Sequence, residues 1–96
     1  MNVIFAPQAL EDFEAYLAFL DAERGEEVAT RERLRVLGVL KHFAALPVMG
    51  RRVRLEGHPT PAYRWSLRPF VVYYDRMEDA LHVLRLYHAS RRPMER

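Results

Sequence analysis

The segment from Ala62 to His88 constrains the fold more than any other part of the sequence. It contains three runs rich in apolar and aromatic residues, 62–67, 70–76 and 81–88, and only short connections separate them. Valine, tyrosine, phenylalanine and tryptophan favour β-strands because they pack well on a pleated surface. Parallel strands need a long crossover connection, so strands joined this closely pair antiparallel. The segment therefore predicts an antiparallel meander.

The first half of the chain predicts a short strand and two helices. Asn2–Ala6 is a short apolar stretch before Pro7, and proline suits the first position of a helix because its missing N–H would be unsatisfied there anyway. Apolar residues then recur at helical spacing, which predicts a first helix that ends near Asp21. A second helix is predicted from about Glu26 to Ala45. Close approach of the first helix would explain Gly38 in its middle.

The order of these elements predicts an α+β fold in one domain, residues 1–96, without linkers or repeats. Arg51–Leu55 is predicted as a further short strand, followed by a loop at 56–61. Helices grouped ahead of an antiparallel run of strands form a hairpin that covers one sheet face. Strand side chains alternate between faces. In the last strand this alternation assigns one face to Leu81, Val83, Arg85 and Tyr87, and the other to His82, Leu84, Leu86 and His88.

Several kinds of site are excluded by composition. The chain has no cysteine, so it has no disulfide, no thiol nucleophile and no cysteine metal site. Its histidines do not stand at ligand spacing with acids, so neither a metal nor a cofactor is predicted. The N-terminus does not resemble a signal peptide, and no stretch reaches the roughly 20 apolar residues of a membrane span. We therefore expect a cytoplasmic protein that has no contact with membranes.

Charge is distributed unevenly along the chain. Residues 1–32 contain eight acids and two bases, whereas residues 33–96 contain five acids and thirteen bases. Every basic residue except Lys41 is arginine, whose forked guanidinium binds carboxylates and phosphates and stacks on aromatic rings. A GC-rich genome would also favour arginine codons, but that would not explain the uneven placement. The second half therefore predicts a surface that recognises another macromolecule.

Three segments form an ordered set along the chain: FAPQALEDFEAYLAFL, LPVMGR and YRWSLRPFVVYYDRMEDALHVLRLYHASRR. Together they resemble the RelE/ParE superfamily of bacterial toxins, and in particular its ParE branch. FAPQALEDFEAYLAFL is similar to the opening strand and first helix, and LPVMGR is similar to a Pro-x-x-Gly-Arg turn. YRWSLRPFVVYYDRMEDALHVLRLYHASRR is similar to the arginine–aromatic strand and the two strands that follow it. The resemblance implies the small α+β fold of a toxin from a type II toxin–antitoxin (plasmid stabilisation) system. It also implies a ParD-like antitoxin as partner in a heteromeric complex.

The superfamily has two activities, and one of them is cleavage of mRNA on the ribosome by RelE-type toxins. Such cleavage needs a base, an acid and cations for the developing negative charge. His88, Tyr87 and Arg85 are the catalytic candidates, since Tyr87-His88 resembles the histidine–aromatic pair of YoeB-like members. Two departures oppose this interpretation: Val71 stands where RelE-type toxins place an arginine, and the final RRPMER has no tyrosine. His88 could instead bond to the backbone or to an acid at the strand end.

The other activity, binding of DNA gyrase by ParE-type toxins, needs no catalytic residues but a surface of arginines and aromatic anchors. The predicted target-binding residues are Arg64, Arg68, Arg85, His88, Arg91 and Arg92. The predicted antitoxin-binding residues are Arg51, Arg52, Arg54 and Trp65. Alternatively, Arg85 forms an ion pair with a helix acid and Trp65 belongs to the core.

The sequence favours a toxin that is not an enzyme, inhibits gyrase and is neutralised by its antitoxin. Ribosome-dependent mRNA cleavage is the first alternative. A nucleic-acid-binding or inactive partner of the antitoxin is the second, although no helix-turn-helix, zinc-finger or RNP signature is present.

Overall fold

Two helices pack on one face of a five-stranded sheet in residues 2–90, the part of the chain that this computed structural model describes. This confirms the α+β fold. The elements are β1 (Asn2–Phe5), α1 (Pro7–Arg24), α2 (Glu26–Ala45), β2 (Arg51–Val53), β3 (Ala62–Leu67), β4 (Phe70–Met77) and β5 (Ala80–His88). None of the helices within these residues is long and apolar enough to cross a membrane.

The strands lie in the order β1-β5-β4-β3-β2, so the last strand of the chain lies inside the sheet, between β1 and β4. The pairs from β2 to β5 are antiparallel, as the short connections predicted. β1 pairs with β5 in parallel, with Asn2 opposite Ala80 and Phe5 opposite Val83. A parallel neighbour is possible there because a long stretch of chain separates the two strands: the helix hairpin leads from β1 to β2 at the opposite edge, and the meander returns from there to β5.

The two helices differ in how well their sequence predicted them. α2 has the expected bounds, whereas α1 continues to Arg24, past the predicted end near Asp21. Gly25 separates the helices with φ of 96°, a left-handed conformation that glycine adopts without steric cost. The close approach expected at Gly38 is wrong, since a Cβ built there would meet no atom within 4 Å. Nothing in the structure explains this glycine.

The last strand does not alternate regularly. Tyr73 of β4 pairs with Arg85 and Tyr74 pairs with Val83, so a bulge adds one residue to β5 at Leu84. A bulge shifts the phase of all later side chains. Leu86 consequently packs in the helix-side core together with Leu81 and Val83, while Leu84 and Tyr87 pack on the opposite face. The predicted division of β5 into two faces was therefore wrong from Leu86 onward.

Apolar side chains pack on both faces of the sheet. The larger core lies between the helices and the sheet and includes Phe13, Leu40, Val72 and Tyr74, all buried. The smaller cluster covers part of the other face: Val53, Leu55, Ala62, Val71 and Tyr73, with Leu84 and Tyr87 against it. Because Leu55 comes from the loop after β2, that loop shields this part of the face.

The end of α2 is held by Arg76 of β4. Its guanidinium donates hydrogen bonds to the backbone oxygens of Phe43, Ala44 and Val48 at 3.0 to 3.1 Å. It also lies 5.1 Å from the centre of the Phe43 ring. The last carbonyls of a helix have no partner within the helix. Arg76 supplies one, and it joins α2 to the sheet.

The LPVMGR turn is fixed at Gly50. Its N–H donates a 2.6 Å hydrogen bond to the hydroxyl of the buried Tyr74, and a Cβ at this position would overlap the carbonyl oxygen of Arg64. Glycine is required here because the turn backbone lies directly against β3. The turn therefore determines where β2 and its arginines join the sheet.

Candidate functional site

Two depressions open near the end of β5, one on each side of the sheet, and Tyr87 and His88 line both. The helix-side cleft has a volume of about 410 Å³ and is lined chiefly by Ala15, Tyr16, Phe19, Leu86, His88 and Ser90. The sheet-face pocket has a volume of about 230 Å³ and is lined chiefly by Arg64, Ser66, Arg68, Val71, Tyr87 and His88. The structure thus brings together three of the predicted target-binding residues: Arg64, Arg68 and His88.

Arg85 points to the helices and not into the sheet-face pocket. Its Nε and Nη2 donate to the two carboxylate oxygens of Asp12 at 2.7 and 2.9 Å. Asp12 also accepts the backbone N–H of Leu86 at 3.1 Å. The side chains of both charged partners are about four-fifths buried, and the carboxylate raises the pKa of Arg85 above its ordinary value. This is the structural ion pair that the sequence left open as an alternative.

His88 ends β5 between aromatic rings. The centre of its ring lies 5.8 Å from that of Tyr16 and 6.4 Å from that of Phe70. Its Nδ1 accepts the backbone N–H of Ser90 at 3.2 Å, and the Ser90 hydroxyl lies 2.7 Å from the same nitrogen. His88 therefore bonds to the backbone at the end of β5. This bond is the alternative to a catalytic role that the sequence left open.

The helix-side cleft has an aromatic wall contributed by α1. Phe19 is 58% exposed, and the centre of its ring lies 6.5 Å from that of Tyr16. Burial raises the pKa of Tyr16, with the nearby charge of Glu32 acting in the same direction. Its phenol is therefore a neutral hydroxyl at physiological pH. The cleft offers apolar surface and hydrogen-bonding groups to a partner, with the charge of Asp12 already paired.

The sheet-face pocket carries positive charge. Arg64 and Arg68 line it, and Arg51 of β2 lies directly opposite Arg64 in the strand register. Residues opposite each other in antiparallel strands point to the same face. The carbonyl oxygen of Arg68 accepts a 2.7 Å hydrogen bond from Arg35, which ties the β3–β4 turn to α2. The Arg35 side chain of the helix layer therefore holds this turn of the sheet in place.

The predicted antitoxin-binding residues do not form one cluster. Arg51, Arg52 and Arg54 are exposed, but Arg52 lies opposite Tyr63 and so points to the face opposite that of Arg51. Trp65 stacks on Phe43 with ring centres 3.9 Å apart and planes 11° apart. The structure thus favours the core interpretation of Trp65.

Two of the predicted target-binding residues lie outside the part of the chain that the structure describes. Arg91 and Arg92 fall outside residues 2–90. Within those residues no group of acids and histidines could hold a metal ion. Sequence reasoning missed Asp12 and Ser90 as partners of the site. The excess of acids in the first helix was the available signal for Asp12, whereas no pattern in the sequence pointed to Ser90.

A helix hairpin on a mixed sheet, with aromatic residues and arginines where β5 ends, defines a small α+β domain. Residues 3–93 match the family described as "ParE toxin of type II toxin-antitoxin system, parDE". The chain belongs to this family of ParE toxins. A search of curated protein sequences finds no match.

The fold is also that of a solved toxin–antitoxin structure. The chain is similar to a chain of the chromosomal ParDE toxin–antitoxin system from P. aeruginosa, with a TM-score of 0.71 and 17% sequence identity. The alignment covers 92% of this chain and 95% of that chain. The likeness concerns the fold, since so low an identity says little about individual site residues.

Proposed function

We propose that this ParE toxin binds and inhibits DNA gyrase in the cytoplasm without catalytic chemistry of its own, and that a ParD-like antitoxin neutralises it. Membership of the ParE family supports the gyrase target. The similar fold in a ParDE system supports an antitoxin partner in a heteromeric complex. Arg64, Arg68 and His88, with Arg91 and Arg92, are the proposed contacts to gyrase.

The observation that carries the proposal is that two of the three candidate catalytic residues near the end of β5 already have partners. Arg85, the cation of the candidate catalytic set, is held by Asp12, and Nδ1 of His88 accepts the Ser90 N–H. General acid–base catalysis requires a group within hydrogen-bonding reach of the proton that moves. A surface that grips a protein needs only well-placed anchors, and the arginines and aromatic residues around the two depressions supply them.

The decisive experiment compares the two activities side by side. Toxin freed from its antitoxin is added to gyrase with supercoiled DNA, and in parallel to ribosomes with a test mRNA. We expect accumulated cleaved DNA and intact mRNA. Cut mRNA together with unaffected gyrase would refute the proposal in favour of the ribonuclease. That alternative retains one point of support, because His88 lies beside Arg64 and Arg68 in a single pocket.

Substitution at the chain end distinguishes the same two mechanisms in cells. We expect Arg91→Ala combined with Arg92→Ala to abolish most growth arrest, because both arginines follow the site directly along the chain. His88→Ala alone should reduce toxicity only partly, since it removes an aromatic contact and no proton transfer. Colony counts after induction, with antitoxin binding as the check on folding, measure both. A fully toxic double variant, or a harmless His88→Ala variant that still binds antitoxin, contradicts this assignment.

A further inference from the structure

The sheet-face pocket has the chemistry of an anion site. Two guanidinium groups, Arg64 and Arg68, line it together with the hydroxyl of Ser66 and the phenol of Tyr87. None of the described residues that line it is an aspartate or a glutamate. A ligand that only accepts hydrogen bonds and carries negative charge therefore meets donors on several sides. Arginine binds the oxygens of phosphates through two parallel N–H groups.

The strand register concentrates positive charge at the edge of this pocket. Arg51 and Arg64 are directly opposite each other on neighbouring strands and point to the same face. This face therefore carries a third arginine beside the two that line the pocket.

The pocket is also organised before any ligand arrives. The β3–β4 turn that carries Arg68 is held from one side by Arg35 and from the other by the Ala89 N–H, which donates to the Pro69 oxygen at 2.8 Å. Tyr87 packs against the cluster of buried residues on this face. Donors fixed in advance cost little ordering free energy when they bind.

We propose that the sheet-face pocket binds a phosphodiester of single-stranded DNA, with Arg64 and Arg68 on the phosphate and the Tyr87 ring beside a base. A volume of about 230 Å³ suits one nucleotide unit and not a double helix. Aromatic rings stack on bases of any sequence, and arginines track the backbone in proteins that bind single strands. The choice of DNA over RNA rests on the proposed function, because gyrase holds opened DNA. The pocket would then contact the DNA of the gyrase complex and not the enzyme alone.

An acidic peptide is the competing ligand, since carboxylates also bind arginine. A nucleotide uses the guanidinium groups through its phosphate and the aromatic ring through its base, whereas the carboxylates of a peptide use only the guanidinium groups. The test therefore compares nucleic acid with a polyanion that lacks bases.

The experiment measures binding by the full chain, freed from antitoxin, in the absence of gyrase. Fluorescence anisotropy follows labelled oligothymidylate of about 12 nucleotides, a length within the range of single-strand sites. Oligouridylate, a duplex of equal length and polyglutamate of similar charge serve as competitors. The variants are Arg68→Gln, Arg64→Gln and the control Arg31→Gln, which removes the same charge from an exposed position on α2.

We expect oligothymidylate to bind in a salt-dependent manner and to be displaced far less effectively by polyglutamate or the duplex. Arg68→Gln should weaken binding about tenfold and reduce the salt slope by about 0.7, the loss of one phosphate contact on a single strand. Arg31→Gln should leave the affinity and the salt slope nearly unchanged. Equal losses in all variants, equal competition by polyglutamate, or clearly tighter binding of oligouridylate would overturn the inference. A toxin that traps cleaved DNA on gyrase but shows no binding here would refute this inference while the proposed function stands.

Discussion

Asp12 joins the first helix to β5 at the edge of the candidate site. Its two carboxylate oxygens accept two hydrogen bonds from Arg85 and one from the Leu86 backbone, all within 3.1 Å. Leu86 follows the β5 bulge, so Asp12 also satisfies the backbone where the strand is irregular. Bonds of this kind, charged and partly buried, are about twice as strong as those between neutral groups. Asp12 therefore positions the strand that presents Tyr87 and His88.

Replacing this carboxylate tests its importance for stability. Asp12→Asn should lower the free energy of unfolding by about 1–3 kcal/mol, because Arg85 loses its charged partner in a partly buried setting. Glu14→Gln on the same helix is the matched control. The Glu14–Arg33 pair is 44% exposed on each side, so its loss should cost less than about 1 kcal/mol. Urea unfolding followed by circular dichroism measures both, and equal losses would contradict the role given to Asp12.

At the scale of elements, two glycines of similar appearance in the sequence have opposite structural settings. A Cβ at Gly38, inside α2, meets nothing within 4 Å, whereas a Cβ at Gly50 meets the backbone of β3. Gly38→Ala should therefore raise the free energy of unfolding by roughly 1 kcal/mol, the difference in helix propensity.

Gly50→Ala should destabilise the protein, since the LPVMGR turn would have to leave β3 and Tyr74 would lose its hydrogen bond to the turn. Thermal unfolding of the two variants and the parent chain shows whether each substitution raises or lowers the stability. A destabilising Gly38→Ala would mean that the helix needs glycine for a reason absent from this packing, and a neutral Gly50→Ala would show that the turn can move.

Some of these elements could be predicted from the sequence and others could not. The meander and α2 follow from strong patterns bounded by short connections and by Gly25. The bulge in β5 could not be predicted, because both phases of alternation carry apolar residues, Leu81 and Val83 in one and Leu84 and Leu86 in the other. The position of β1 depends on which sheet edge the crossover reaches, and no local pattern encodes that.

At the scale of the whole molecule, the charge imbalance of the sequence becomes a division between layers. Most acids lie on α1 and α2, whereas Arg51, Arg64 and Arg68 lie on the opposite side of the sheet. Composition alone predicted a basic recognition surface. It could not predict which arginines meet, since Arg85 is paired with Asp12 of α1 and Arg52 points away from Arg51 by strand alternation.

The proposed antitoxin contact belongs to this scale too, because a partner that binds only the folded toxin adds to its stability. Antitoxin at a hundred times its dissociation constant contributes about 2.7 kcal/mol. Arg52 and Arg54 are exposed beside the β2 edge, and we propose that they meet acids of the antitoxin. Arg52→Glu combined with Arg54→Glu should weaken that binding about 100-fold, since like charges across an interface cost several kcal/mol.

The control reverses two other exposed charges, Arg31→Glu with Lys41→Glu on α2, and should leave the affinity within about tenfold of the parent chain, as rim charges act mainly on association rates. Trp65 is the only tryptophan and is stacked on Phe43, so its emission reports whether each variant is folded. Titration calorimetry with the antitoxin gives the affinities. If both double variants lose affinity equally, net charge and not the β2 edge governs the complex. The contact must then lie elsewhere, and the aromatic wall of the helix-side cleft is the next surface to substitute.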